Sequence, residues 1–273
     1  MGDQLEALLP AFVVIPAVRF AMGSAEPELS ALARDYGGTR ESYREEAPRH
    51  ELTLFPFAIA RVPVTNALYG AYVAASGAPA PLAWRGLQPP PEQHDHPVVD
   101  VSWDEACACC RWLERQGLVY RVLTADGSPV ARRGAPRLPS EAEWEHAARG
   151  RDGRRFPWGE TFASSCANTR EGGRGRTSPV GAYPQGASPY GVLDMAGNVW
   201  EWTASLDRPY PYRADDGREL AAAPGRRIMR GGCYANPQGY ARCACRFRLP
   251  PTVRNEFTGF RLALSLAAEG SNP

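Results

Sequence analysis

The sequence predicts a single α+β domain in which regular helices and strands make up a small part of the chain. Three helices with clear start signals come before Gly150. After that residue helical periodicity fades, and glycines, prolines and aromatic residues recur every few positions. The 27 glycines and 26 prolines among 273 residues indicate many turns, but they stay below the level typical of disordered chains. Because no shift in composition marks a linker, we expect residues 1–273 to form one domain.

The first elements are a strand and a short helix. Residues 12–15, Phe-Val-Val-Ile, have the apolar, β-branched composition of a strand. The polar, acidic segment 26–46 is expected to be a surface loop. Thr65 is expected to cap a helix that runs to about residue 75, since its hydroxyl can accept a bond from the first turn.

Two longer helices begin at capping boxes. Ser102 with Glu105, and Ser140 with Glu143, each have the spacing in which two side chains satisfy free backbone N–H groups. The second helix is expected to end at Gly150. The first is expected to run from Trp103 to Glu114 and to bury one face, made by Trp103, Ala106, Cys107, Cys110 and Leu113.

A hairpin is expected between these two helices. Residues 120–132 alternate around Asp126-Gly127, a strong signal for a tight turn between antiparallel strands. At the other end of the chain, the small polar residues after Leu266 are expected to fray.

Composition and charge exclude several classes of function. The 31 basic and 30 acidic residues nearly cancel, so no basic field favours nucleic acid or a membrane surface. No apolar run approaches the ~20 residues that span a bilayer. The first ten residues lack a basic region followed by a long apolar one, so we expect a cytoplasmic protein without a signal peptide. We also expect a monomer.

The seven cysteines do not suggest a disulfide framework. Their number is odd and their spacing irregular, and no Cys-x-x-Cys pair recurs to indicate zinc. In a cytoplasmic chain most of them are expected to be buried thiols.

The segment from Gly191 to Thr203 is the most informative part of the sequence. It contains two tryptophans and several oxygen-bearing side chains around Gly197, a residue suited to positive φ or to close approach of another backbone. Such a bend can bind a hard cation such as Ca²⁺. It can also be a turn that leads into a buried aromatic strand at Val199–Trp202. The residues alone leave both interpretations open.

Other motifs occur with this segment in a recognisable order. They are Arg137-Leu-Pro-Ser-Glu-Ala-Glu-Trp-Glu-His-Ala-Ala-Arg-Gly150, Phe156-Pro-Trp-Gly159, Arg230-Gly-Gly-Cys-Tyr234 and Gly259-Phe-Arg-Leu-Ala263. Together they resemble the formylglycine-generating enzyme family, also called sulfatase-modifying factors. The resemblance covers residues 12–263 and leaves 264–273 as a tail. It implies a C-type-lectin-like fold with few regular elements, one domain and bound calcium.

The resemblance implies a structural calcium ion in the segment described above. The ligands would be the side chains of Asp194 and Glu201 and the carbonyl groups of Gly197 and Val199. A second family site begins at Asn168. The residues that follow Asn168 here are basic and leave one nearby carboxylate. The positive charge of the arginines would repel a cation at this second site.

The family's catalytic cysteine pair is absent. The corresponding positions, four and nine residues after Gly-Gly, are Asn236 and Ala241, and copper is therefore not expected. Formylglycine formation would need the flanking Cys233, Cys243 or Cys245. One alternative is a displaced redox site that uses Cys233 and Cys245. The other is that all three are small apolar residues in a packed loop.

The histidines do not indicate an iron site. His94 and His96 lie in a loop and His146 on a helix, and no third ligand can be assigned. Ergothioneine-type members of the superfamily carry a separate histidine-rich helical domain, which we do not expect before residue 12.

The loop 233–257 is the predicted ligand-binding surface, because aromatic residues and arginine contribute most of the energy at interfaces. The family binds peptides beside this loop, and the variable proteins of diversity-generating retroelements use it to bind ligands. An alternative is that its arginines pair internally with Glu201, Glu256 and Asp194. The predicted contact residues are Tyr234, Asn236, Tyr240, Arg242, Arg246, Phe247 and Arg248.

The resemblance therefore predicts a calcium-stabilised protein that binds a peptide or protein. One alternative is a divergent oxidoreductase that acts on a peptide or a peptide-derived metabolite, as pyoverdine-maturation relatives do without the thiol pair. The other is a variable ligand-binding protein of the retroelement type.

Overall fold

The computed structural model describes residues 2–266, and within them five α-helices and twelve strands. The helices are α1 (Gly2–Glu6), α2 (Leu29–Tyr36), α3 (Asn66–Ser76), α4 (Trp103–Arg115) and α5 (Glu141–Arg149). The strands are β1 (Phe12–Ile15), β2 (Val18–Met22), β3 (His50–Leu54), β4 (Phe57–Ala60), β5 (Val119–Leu123), β6 (Pro129–Arg133), β7 (Pro136–Arg137), β8 (Trp200–Leu206), β9 (Arg227–Arg230), β10 (Phe247–Leu249), β11 (Thr258–Phe260) and β12 (Ala263–Ser265).

The strands form three sheets. The largest has the order β6-β5-β1-β4-β12-β7, the second has the order β10-β9-β8-β11, and β2 pairs with β3. Most pairs are antiparallel; β1 with β5 and β8 with β11 are parallel. Since β12 pairs with β4, which pairs with β1, the two ends of the domain meet in one sheet. Leu264 and Ser265 belong to this sheet.

The predicted helix starts are confirmed. The Thr65 hydroxyl accepts from the Leu68 N–H at the start of α3. The capping boxes at Ser102 and Ser140 are both formed, and Gly150 follows α5 with a φ of 68°. The expected hairpin is β5–β6, in which residues 119–123 pair with 129–133.

The segment 26–46 is not a surface loop, and that prediction was wrong. It contains α2 and a 3₁₀ helix at Arg40–Glu46. Leu29, Leu32 and Tyr43 are buried within it. The spacing of Leu29, Leu32 and Tyr36 is that of a short helical stripe, but the many polar neighbours hide it.

The main core lies between the largest sheet, α3, α4 and the β8–β11 sheet. Phe12, Tyr120, Trp202 and Phe260 are completely buried there. The predicted face of α4 packs into this core, with Cys107 half-buried and the other four residues buried. Cys109 and Trp112 are buried as well, so α4 contacts protein on more than the predicted face.

Between α5 and β8 the backbone consists of turns, bends and two short 3₁₀ segments, as the composition predicts. Isolated bridges such as Asn168 with Gly197 connect these loops. None of the helices in residues 2–266 is long and apolar enough to cross a membrane. The prediction that the chain frays after Leu266 concerns residues outside the described part.

Candidate functional site

The segment 191–203 makes a bend with unusual backbone conformation. Asp194, Gly197 and Asn198 all have positive φ, at 55°, 73° and 62°. A Cβ on Gly197 would lie 2.3 Å from the carbonyl oxygen of Asn168. Both properties that the sequence suggested for this glycine are therefore present. The bend leads into a buried strand that begins at Trp200.

Asn198 joins the bend to the preceding loops. Its Oδ1 accepts from the Ser178 N–H at 3.0 Å and from Asn168 Nδ2 at 3.3 Å, and its own Nδ2 donates to the Ser178 carbonyl. Asn168 Nδ2 also donates to the carbonyl of Arg176. These side-chain bonds replace the backbone ladders that the loops lack.

Glu201 is completely buried and its carboxylate accepts three hydrogen bonds. Arg261 donates to both oxygens at 2.6 Å, and the Trp144 indole N–H donates to one of them at 2.6 Å. The same guanidinium donates to the carbonyls of Ala60, Leu193 and Asp194. Arg261 therefore fixes both the carboxylate and the bend that precedes it.

Both carboxylates of the predicted calcium site already accept hydrogen bonds from the protein. Both Glu201 oxygens accept charged hydrogen bonds from Arg261, whose positive charge opposes a cation. Asp194 accepts from the Gly181 N–H, and burial raises the pKa of its carboxyl to about 6. Across residues 2–266 no three acidic, histidine or cysteine side chains gather into a metal-binding group.

At the second predicted site the nearby carboxylate is likewise already hydrogen-bonded to the protein. Asn168 donates through Nδ2, while its Oδ1 is buried without a hydrogen-bond partner. The nearby Glu171 accepts from the Thr169 hydroxyl and from the Gln238 N–H. Its carboxylate thus connects to the loop 233–257.

The three candidate catalytic cysteines are free thiols in the protein interior. Cys233 and Cys245 pack into the main core, whereas Cys243 packs in a second cluster with Trp144 and Met195. Burial raises the pKa of all three, to about 12 for Cys243 and Cys245. A redox or copper site needs thiolates, so this geometry favours the packed-loop alternative.

Two arginines predicted to contact a ligand are internal instead. Arg242 is 2% exposed and makes two 2.7 Å bonds to Glu46. Arg246 is also buried and donates to Glu141 at 2.6 Å and to the Glu45 carbonyl. Their predicted role as ligand contacts is therefore corrected to a structural one.

The alternative of internal pairing holds for the arginines of the loop, with one partner as suggested and the others different. The predicted partner Glu201 binds Arg261, which lies just beyond the loop. Arg248 is partly exposed and pairs with Glu45 and Asp207, and Arg254 pairs with Glu105. The acidic pair Glu45-Glu46 was missed. The negative charge of this pair is complementary to the arginine-rich loop. That complementarity is the sequence signal from which the pairing could have been predicted.

The aromatic residues of the loop divide into buried and exposed groups. Tyr234 is buried against Phe257, with ring centres 5.5 Å apart. Tyr240 is 44% exposed and Phe247 38% exposed, and both rings rest on the buried Trp200. Phe247 stacks on Trp200 at 5.2 Å, and Tyr240 meets it edge-on at 6.2 Å. We call Tyr240, Phe247 and Trp200 the aromatic platform.

Asn236 faces inward and supports the loop. Its Oδ1 accepts from the backbone N–H and from the thiol of Cys233, each at 3.1 Å. Of the seven predicted contact residues, Tyr240 and Phe247 are exposed and Arg248 is partly exposed, so these three can contact a ligand directly. Trp200 was not predicted for this role, because it belongs to the earlier motif.

The histidines are not brought together. His96 bonds to the Thr177 hydroxyl at 2.9 Å, and its carbonyl caps the start of α3. His146 is buried beside Tyr190, and burial lowers its pKa to about 4. Each imidazole therefore has a local structural environment of its own.

Comparison with known proteins identifies the family. The model of the "Sulfatase-modifying factor enzyme 1-like domain" matches residues 2–266. The chain belongs to the sulfatase-modifying factor family. The predicted resemblance and the α+β, formylglycine-generating-enzyme-like fold are thereby confirmed.

Within this family the chain is similar to proteins with different names. It is 32% identical to the hercynine oxygenase of Mycolicibacterium smegmatis over 92% of this chain, and it spans 60% of that protein's length. The structure of PvdO from Pseudomonas aeruginosa superposes with a TM-score of 0.70 at 28% identity, covering 93% of this chain and 94% of PvdO. Variable protein 1 of Treponema denticola gives 0.68 at 25% identity, covering 93% of this chain and 94% of that protein.

Proposed function

We propose that this sulfatase-modifying factor family protein binds a peptide or protein through the aromatic platform. The observation that carries the proposal is the exposure of Tyr240 and Phe247 over Trp200. Large aromatic side chains that stay exposed on a buried ring offer much apolar area at small entropic cost. Cys233 and Cys245, which pack in the same core cluster as Trp200, are buried, and burial raises the pKa of both thiols, which favours binding over thiol chemistry.

Buried ion pairs anchor the chain segment that joins Tyr240 to Phe247. Arg242 and Arg246 both lie in the chain between Tyr240 and Phe247. Arg242 forms an ion pair with Glu46, and Arg246 forms one with Glu141. Residues 26–46, which we call the strap, supply Glu46 and also the Tyr43 ring beside Arg242. A surface fixed before binding loses less entropy when a ligand arrives. This supports direct recognition by the loop as it stands.

The platform favours a ligand with an apolar or aromatic anchor. Phe247 stacks on Trp200 and Tyr240 meets it edge-on, and both rings keep exposed apolar surface on which a further aromatic or apolar group can pack. Arg248, at the border of the platform, is already paired with Glu45 and Asp207. An apolar side chain of a peptide is therefore expected to supply most of the binding energy, with polar groups at the rim.

Selection from a peptide display library tests the proposal. Peptides enriched on the wild-type protein are expected to bind a Tyr240→Ala, Phe247→Ala double variant at least ~30-fold more weakly, since hot-spot truncations cost about 2 kcal/mol or more. Leu82→Ala is the matched control, because Leu82 is 77% exposed and lies outside the loop. Equal binding by the double variant, or no enrichment on the wild type, would contradict the proposal.

A divergent oxidoreductase is the second candidate. It is favoured by the 32% identity to a hercynine oxygenase over 92% of this chain. In the described residues, however, no group of histidines, cysteines and carboxylates suited to a metal occurs, and the candidate cysteines 233, 243 and 245 are buried. Oxygen uptake in the presence of Fe(II) or Cu(I) and a thiol peptide tests it. Metal-dependent turnover that survives removal of the platform would favour this candidate over binding.

Calcium is not part of the proposal, because Arg261 already neutralises Glu201. Both oxygens of that carboxylate accept hydrogen bonds from Arg261.

A further inference from the structure

A large cavity lies outside the loop 233–257. Its volume is about 820 Å³, and its lining contains no residue of that loop. It is bounded by β3, α4, the segment 135–143 and residues near the end of β12. The main apolar side chains around it are Leu52, Leu54, Phe55, Trp103, Leu138 and Tyr212. We call it the α4 cavity.

Two properties indicate that the α4 cavity is a ligand site. Its volume falls within the ~300–1,000 Å³ range of small-molecule sites, which are mostly apolar with a few polar groups. Phe55 lines it and is 87% exposed. A large apolar side chain left in water beside an apolar cavity is typical of a binding surface.

The charges of the lining favour a cation. Its lining residues include three acidic ones, Glu114, Glu143 and Glu219, and two basic ones, Arg111 and Arg137. Arg137 and Glu143 neutralise each other through two 2.7 Å bonds. The remaining lining charge is net negative.

Glu219 is the carboxylate with an unused acceptor. Its Oε1 accepts from the Ser205 and Tyr212 hydroxyls, at 2.5 and 2.6 Å. Its Oε2 is buried and accepts no hydrogen bond. Burial raises the pKa of this carboxyl, while the two hydroxyl bonds lower it. An unpaired buried oxygen is costly, and the terminal torsion of glutamate is broad enough to turn it toward a donor.

We propose that the α4 cavity binds an apolar molecule that carries one ammonium group. The apolar body contacts Trp103, Leu138 and Phe55, and the ammonium donates to Glu219. An apolar anion would face a net negative lining, and an apolar alcohol would supply a donor without the charge.

This site is separate from the proposed peptide site. Trp200 is the floor of the aromatic platform, whereas Ala204, four residues later in β8, lines the α4 cavity. Four residues of a strand span about 13 Å, so the two ligands occupy different places. The α4 cavity therefore stands whether or not the platform binds a peptide.

Three probes with the same chain test the proposal: decylamine, decanol and decanoic acid, each below its aggregation concentration at pH 7. Binding is measured by calorimetry and by tryptophan fluorescence, since Trp103 lines the cavity. Decylamine is expected to bind at least ~10-fold more tightly than decanol, a difference of about 1.4 kcal/mol, and decanoic acid is expected to bind most weakly.

Two variants assign the effect to the cavity. Glu219→Gln is expected to reduce the preference for decylamine over decanol to ~3-fold or less. Its affinity for decanol is expected to equal that of the wild type. Ala135→Trp is expected to abolish binding of all three probes, because Ala135 is exposed and lines the opening. Tyr240→Ala, on the platform, is the control and should bind decylamine like the wild type.

The outcomes that overturn the proposal are distinct. Equal affinity for decylamine and decanoic acid would exclude the role of Glu219. Undiminished binding by Ala135→Trp would place the probes elsewhere. Sedimentation that shows a dimer, dissociated by Phe55→Ser, would mean that a second copy of the chain covers the cavity and would also overturn the proposal.

Discussion

Arg261 binds Glu201 through two 2.6 Å hydrogen bonds, and both side chains are completely buried. Glu201 lies in β8 and Arg261 directly follows β11, so the pair ties two parallel strands at their side chains. The same guanidinium binds the carbonyls of the bend at residues 193–194. The charge of Glu201 is thus balanced by a residue of the same chain.

The first prediction concerns this pair. Glu201→Gln is expected to reduce the free energy of unfolding by about 3–5 kcal/mol, because it leaves the Arg261 charge buried without its partner. Urea unfolding at pH 7 measures the loss. It is expected to be the same in Ca²⁺ and in EDTA, since Arg261 neutralises Glu201.

The control is Glu26→Gln. Glu26 forms a 2.7 Å ion pair with Arg40 in which both side chains are more than half exposed. Its loss is expected to cost less than ~1 kcal/mol. A Glu201→Gln penalty that appears in Ca²⁺ and disappears in EDTA would show that the carboxylate binds calcium.

The second prediction concerns pH and Asp194. Burial raises the pKa of its carboxyl to about 6, above the ordinary value of 3.8. The group therefore contributes most stability when it is protonated, at low pH, and this contribution is lost as pH rises from about 4 through 6. The loss is on the order of 3 kcal/mol for a shift of about two units. Asp194→Asn is expected to remove this part of the profile.

His146 changes the free energy of unfolding with pH in the opposite direction, over an overlapping pH range. Burial lowers its pKa to about 4 from 6.5, so its contribution is present above pH 6.5 and is lost as pH falls toward 4. In Asp194→Asn the unfolding free energy is therefore expected to fall on acidification through this range. In His146→Gln it is expected to rise. Parallel pH profiles for the two variants would contradict this assignment.

The third prediction tests the strap. Glu46→Gln leaves the buried Arg242 guanidinium without its carboxylate and is expected to cost about 3–5 kcal/mol. The double variant with Arg242→Met is expected to recover part of the loss, as a positive coupling in a double-mutant cycle. Peptide affinity is expected to fall with Glu46→Gln, because the loop behind the platform loosens.

Glu45→Gln is the matched comparison, since Glu45 is adjacent in the chain and pairs with the partly exposed Arg248. It is expected to change the unfolding free energy by less than ~1 kcal/mol. Equal losses for the two glutamates would contradict the anchoring role of Glu46.

The fourth prediction concerns the thiols. Cys233, Cys243 and Cys245 are buried with raised pKa, so they are expected to react with a disulfide reagent only when the protein opens. Cys166, which is half-buried, is the internal comparison and is expected to react first. Peptide mapping after timed labelling measures the order. Rapid labelling of Cys233 or Cys245 in the native protein would revive the redox alternative.

Local signals in the sequence predicted much of this fold. The capping boxes at Ser102 and Ser140 and the Asp126-Gly127 turn act between residues three or four positions apart, so the sequence contains all their partners. The order of the motifs was enough to predict the family. The bend at Gly197 was also predictable, since a glycine between polar residues favours a turn.

Only the tertiary structure decided which loop residues face a ligand. Arg242 and Glu46 are 196 positions apart, and no local pattern connects them. Burial of a guanidinium needs a partner brought by the fold, and that partner came from the strap, which the sequence presented as a surface loop. These long-range pairings decide which surface remains for recognition, because an arginine paired inside the protein cannot contact a ligand. What remains exposed is Tyr240 and Phe247, which rest on Trp200.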